Sequence, residues 1–170
     1  MNDMQLTCDA ANKMVRELND KLARIYQDER NRHVYTSTIE RKALDRPAYD
    51  FKKTQADIDA TNKKILQLKH AINKFNVSEV LPCGLTIDAA LCRMAHLNEQ
   101  RKKLRNYLSV LKIEKPDNRY GVRANPDDYI FRNFDVKEAE EVFEAVSAEL
   151  IQIQSELNVA NVTKTFEVNI

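Results

Sequence analysis

Residues 51–75 read FKKTQADIDATNKKILQLKHAINKF. Phe51, Ile58, Ile65 and Ile72 recur seven apart, and Leu68 and Phe75 extend the seam. Thr54 and Thr61 fill the alternate seam positions, so the first half of the stripe is weakly apolar. A sustained seven-residue repeat holds one apolar stripe on one side of a helix. It predicts a long helix packed at a shallow angle against a partner. Pro47 precedes the pattern, which ends at Asn76, ahead of Pro82 and Gly84.

The same grammar extends in both directions. Over residues 7–32, Ala11, Met14, Leu18, Leu22 and Ile25 recur at spacings of three and four. Thr7 supplies an N-cap oxygen, and Asp9 suits the positive end of the helix dipole. Residues 33–47 lose the period. Val34, Tyr35, Thr36 and Ile39 lean towards β structure, but the run is short and reads as a connection. Past Gly84, Thr86 caps a third helix with Asp88 in its first turn. Leu91, Met94, Leu97, Leu104, Leu108 and Leu111 form its expected apolar face, and Pro116 closes it. A loop over residues 117–128, with Gly121 and Pro126, leads to a predicted strand at residues 129–134. Asp135 and Glu138 have capping-box spacing. They open a fourth helix to about residue 158, with Ala139, Val142, Phe143, Val146, Leu150, Ile153 and Leu157 on one face. In the tail, Phe166, Val168 and Ile170 alternate with Thr165, Glu167 and Asn169, which is the period of a strand.

Four amphipathic helices must cover each other's stripes. The expected fold is therefore mainly α: one domain over residues 1–170, a bundle of four long antiparallel helices. Short strands at 129–134 and 162–170 flank the last helix and form a small β element. Paired with each other in one chain, these strands would make a parallel β-α-β unit. Two strands alone are marginal, and an unpaired apolar edge is a template for another chain. The reading therefore expects a homo-oligomer with Phe166, Val168 and Ile170 at the interface.

Composition narrows the function classes. The net charge is +1, which weighs against a dedicated nucleic-acid binder. Only two glycines occur, and both are isolated, so neither a Walker loop nor a dinucleotide fingerprint can be built. Cys8, Cys83 and Cys92 are an odd set, and the first eight residues lack the apolar core of a secretory signal. Reduced thiols in a cytoplasm are expected. No run approaches the roughly 20 apolar residues of a membrane span. Lys52, Lys53, Lys63, Lys64, Lys69 and Lys74 make the second helix basic, and Arg101, Lys102, Lys103 and Arg105 do the same for the third. Glu138, Glu140, Glu141, Glu144, Glu149 and Glu156 make the fourth acidic. These are solvated faces, or an acidic helix facing basic ones to fix register.

Chemistry-bearing constellations are sparse. Cys92 and His96, four apart on one helix, can supply two metal ligands, with His33, His70, Cys8 or Cys83 as further donors. The signal is weak, because a Cys on a helix flank is more often a small packing residue. Cys83, beside Gly84 at a helix start, has the setting of an activated thiol or of a plain loop cysteine. Asp127 and Asp128 read as turn formers. Arg119-Tyr120-Gly121-Val122-Arg123 mixes cations and an aromatic as single-strand binders do, and Arg101, Lys102, Lys103 and Arg105 can reach phosphates. No cofactor or small-molecule substrate is indicated.

Several features carry a family likeness. They are Ala71-Ile72-Asn73-Lys74, the helix start Leu85-Thr86-Ile87-Asp88-Ala89-Ala90-Leu91, Arg119-Tyr120, the step into Asp135-Val136, and Ala160-Asn161-Val162-Thr163. From about residue 65 to 170 the chain resembles a family of uncharacterised bacterial proteins, some labelled septicolysin. Where that family has Asp-Gly-Arg before the Thr, this chain has Pro82-Cys83-Gly84. The resemblance implies a mostly helical, self-associating protein and supplies no catalytic residues. The combined expectation is a non-enzymatic, cytoplasmic, oligomeric helical scaffold or interaction protein. The alternatives are a nucleic-acid-associated factor using the basic face of the third helix, and a membrane-active, septicolysin-like protein.

Overall fold

The computed structural model describes residues 3–114, 127 and 129–170. The expected Pro116 stop, the 119–123 cation–aromatic motif, Gly121, Pro126 and Asp128 lie outside the described residues. In chain order the elements are β1 (Asp3–Thr7), α1 (Cys8–Arg32), α2 (Phe51–Ser78), α3 (Ile87–Leu108), β2 (Ile113–Glu114), β3 (Ile130–Phe131), α4 (Val136–Thr163) and β4 (Thr165–Asn169). The chain is mainly α, with four long helices and short strands before and after the last one. Its contacts fall into two compact units. The first comprises Met1–Leu81 and Asn158–Ile170, the second Pro82–Leu157.

The first unit is built on α1 and α2. Thr7 caps α1 by accepting from the Ala10 N–H at 3.2 Å, and Asp50 caps α2 by accepting from the Lys53 N–H at 3.0 Å. Glu29, late in α1, bonds Tyr49 and Gln55 at the start of α2, so the two helices run antiparallel. The seven-residue seam of α2 is buried at Ile58, Thr61, Ile65, Leu68, Ile72 and Phe75. Thr61 is accommodated because its Oγ1 donates to the Asp57 carbonyl at 2.7 Å, which satisfies the hydroxyl locally. Phe51, the first seam position, is exposed.

β4 closes this unit in a way the sequence reading does not foresee. It pairs antiparallel with β1, from Asp3 opposite Asn169 to Thr7 opposite Thr165. The strand expected to seek the segment before α4, or another chain, finds its partner at the opposite end of the sequence. β1 alternates Met4 and Leu6 with polar residues, but two apolar positions at the very start of the chain do not declare a strand. Val168 is buried, and the Phe166 ring stacks on Phe75 with centroids 4.8 Å apart.

In the second unit, Gly84 has a φ of +84°, the left-handed conformation that L side chains disfavour. Thr86 then caps α3 by accepting from the Ala89 N–H at 3.2 Å. The buried face of α3 is Ile87, Ala90, Leu97 and Leu104, so the stripe is rotated from the expected one, and Leu91 is exposed. α3 stops at Leu108, where the Ser109 N–H reaches back to the Arg105 carbonyl and its Oγ donates to that of Asn106. Leu111 therefore lies beyond the helix. α4 opens as Asp135 Oδ1 accepts from the Lys137 N–H at 2.7 Å. It runs five residues past the expected end, to Thr163, and takes in Val162 and Thr163, where a strand is expected. Its buried stripe is Ala139, Val146, Leu150, Ile153, Leu157 and Ala160, and Val142 stays exposed. Arg93 Nε and Nη2 donate to the two Glu149 oxygens at 2.6 and 2.7 Å, and the Cys83 N–H donates to Glu156 at 2.7 Å. Tyr107 meets Phe134 at the other end, with centroids 5.3 Å apart. α3 and α4 are thus antiparallel within their unit.

Candidate interaction surface

The end of the second unit where α3 stops is its most apolar exposed region. Ser109 terminates the helix before Val110 and Leu111, so neither can be folded back onto the α3 stripe. Two residues later β2 starts and pairs antiparallel with β3, Ile113 opposite Phe131 and Glu114 opposite Ile130. The Arg132 N–H donates to the Lys112 carbonyl at 3.2 Å and extends the ladder. Leu111 is 62% exposed, Ile113 51%, Ile130 50% and Phe131 66%. Tyr107 and Tyr129 are exposed beside them. Single exposed leucines are ordinary on a protein surface, but here Ile113 and Phe131, opposite each other in the ladder, share one face and Ile130 lies on the other, so both faces of the ribbon expose apolar side chains. The ribbon also has unpaired strand edges among the described residues, which are templates for further pairing.

Two cation–aromatic pairs lie near the end of α3 and just after β3. Lys103 Nζ lies 5.3 Å from the Tyr107 ring centroid, and the Arg132 guanidinium 5.6 Å from that of Phe134. Of the basic residues on α3, Arg101 is half-buried and donates to Asn98 at 3.3 Å, while Lys102 and Arg105 are exposed. At roughly 100° of rotation per residue these four spread widely around the helix and do not line a single track. On acidic α4, Glu149 faces Arg93, whose position precedes the basic run, and Glu138, Glu140, Glu141 and Glu144 are exposed.

The other sequence candidates are dispersed. Cys92 and His96 are both exposed, one turn apart on α3. Among the described residues no three His, Cys, Asp or Glu side chains group as a metal site would need. Cys83 is half-buried and exposed Asp127 flanks the undescribed segment. Burial, with the neighbouring Asp9, pushes the Cys8 thiol up despite its bond from Asn12, so Cys8 stays a protonated packing group. The C-terminal residues chosen for an interface are placed inside the first unit or on its margin: Val168 is buried, Phe166 is stacked on Phe75, and Ile170 is half-buried. β3 falls within the strand expected at 129–134, but its partner β2 has only two residues, too short for any period to register. The Val110-Leu111 pair past a helix stop was the available signal.

None of the described helices is long and apolar enough to cross a membrane. No family model matches the chain, and no curated protein matches it. Among solved structures, the fold is similar to the crystal structure of a functionally unknown conserved protein from Corynebacterium diphtheriae. The TM-score is 0.60 at 15% identity, over 98% of this chain and 100% of that one. At this identity the likeness shows the fold alone.

Proposed function

We propose that this protein is a non-enzymatic interaction protein that self-associates through the apolar ribbon of its second unit. The observation that carries the reading is the joint exposure of Leu111, Ile113, Ile130 and Phe131 on a ribbon with unpaired edges. The occupant is a second copy of the chain. An antiparallel ribbon edge is self-complementary about a twofold axis, as the commonest homodimers are. The net charge of +1 sets little repulsion against such pairing.

Sedimentation equilibrium on the full chain tests this. The wild type is expected to dimerise in the micromolar range, and Phe131→Asp to weaken the dimer by about tenfold or more with its helical circular dichroism intact. A wild type that stays monomeric at about 100 μM overturns the reading, since functional homodimers bind more tightly than that. A second reading rests on the Lys103–Tyr107 and Arg132–Phe134 pairs, which resemble the cation and ring pairing of single-strand binders. It expects retention on immobilised single-stranded nucleic acid at physiological salt, and elution at low salt rejects it.

A further inference from the structure

Glu29, near the end of α1 in the first unit, is a carboxylate with no ion-pair partner among the described residues. Glu29 Oε1 accepts from Tyr49 Oη and from Gln55 Nε2, each at 2.9 Å. Both donors are neutral, both bonds fall on one oxygen, and no Lys or Arg among the described residues forms an ion pair with Glu29. Burial, with the Glu29 carboxylate beside it, pushes the Tyr49 phenol up, so Tyr49 remains a donor. The carboxylate is therefore held in place with its second oxygen unpaired among the described residues.

Glu29 lines an open groove of about 640 Å³ together with Tyr26, Arg30, His33, Tyr49 and Phe51. The volume is that of a small-molecule site. Three of its six lining residues are aromatic, and none of these rings stacks on another among the described residues. The groove also sits at the carbonyl end of α1, where the helix dipole is negative. His33 is anchored there, its Nδ1 2.9 Å from the Glu29 carbonyl oxygen and 3.1 Å from that of Arg30. Ring faces, a helix C-terminus and a fixed carboxylate all favour the same guest, a weakly hydrated cation. Arg30 also lines the groove, so the guest's charge must be held on the Glu29 side.

We propose that this groove binds an organic ammonium group of the quaternary type, with Tyr26, Tyr49 and Phe51 against its methyl groups and Glu29 as its counter-ion. A choline-like group comes either as a free solute or as a lipid headgroup, and the chemistry recognised is the same.

The test is calorimetric titration of the full chain with choline chloride, against sodium chloride at equal ionic strength and against 3,3-dimethyl-1-butanol, the neutral isostere. Choline is expected to bind about tenfold or more tightly than the isostere. Phe51→Ala and Glu29→Gln are each expected to weaken choline about tenfold. Phe51 is exposed, and Gln retains the oxygen that Tyr49 and Gln55 donate to, so both variants keep the fold, which circular dichroism checks. Sedimentation with phosphatidylcholine vesicles that free choline reverses assigns the lipid source, and choline binding without sedimentation assigns the free solute. No heat beyond that of sodium chloride, equal binding of the isostere, or variants that bind choline like the wild type would each overturn the proposal.

Discussion

Gly84 owes its identity to backbone conformation and not to crowding. Its φ is +84°, yet a Cβ built there meets no atom within 4 Å. Gly84→Ala should therefore cost about 1–2 kcal/mol, the penalty of the left-handed conformation, measured by urea unfolding. A neutral substitution would mean that the turn relaxes. Glu149 gives a pH-dependent counterpart. The hydrogen bonds and charge of Arg93 hold its carboxyl below the usual carboxylate range. A depressed folded-state pKa contributes stability above the unfolded pKa, and that contribution is lost as pH falls through the folded value. Glu149→Gln is expected to be less stable than wild type at neutral pH by a small margin, because the pair is solvent-exposed. The two unfolding curves should converge as the pH drops below the carboxylate range. A gap that persists in acid would show that the glutamate acts through packing.

Among the elements, the helices were readable, and so were β3 and β4 as strands, while β1, β2 and the pairings were not. Thr7 and Thr86 cap where the sequence places them, and the α2 seam is buried at the heptad positions from Ile58 to Phe75. These are interactions between residues three, four or seven apart, so a single stretch of chain specifies them. β4 was readable as a strand from its alternation, but its partner was not, since Gln5 and Glu167 bond across 162 residues. The pairing gives Val168 a structural duty. Val168→Ala should lower stability by about 2 kcal/mol, the scale of removing buried methyl groups, read from denaturant midpoints. Hydrogen exchange should show the loosening first in β1 amides, because they are bonded to β4. Unchanged stability would demote β4 to an ornament of the first unit.

Each unit carries its own fully buried leucine, Leu68 on α2 and Leu97 on α3. Leu68→Ala and Leu97→Ala are each expected to cost about 2–5 kcal/mol by equilibrium unfolding. Values under about 1 kcal/mol would mean that these sites collapse around the smaller side chain. Similarity of fold to the Corynebacterium diphtheriae protein at 15% identity fits a pattern held by stripe positions and caps. Many apolar residues can fill a stripe, so the architecture survives when most identities change.

Local periodicity, the threonine caps and the glycine turn were enough to place four helices, the strand within 129–134 and the tail strand, because each depends on near neighbours along the chain. Three things came from folding alone. The stripe of α3 rotated to leave Leu91 exposed, because burial depends on which helix face meets other elements and not on hydropathy. β1 and β4 found each other across the length of the chain, and β2 and β3 across an intervening segment, since strand register is a long-range choice. Tyr26, Tyr49 and Phe51 came together around Glu29, although nothing in their spacing announces a site. Chain-distant side chains become neighbours only when packing brings their backbones together, and one-dimensional spacing does not encode that.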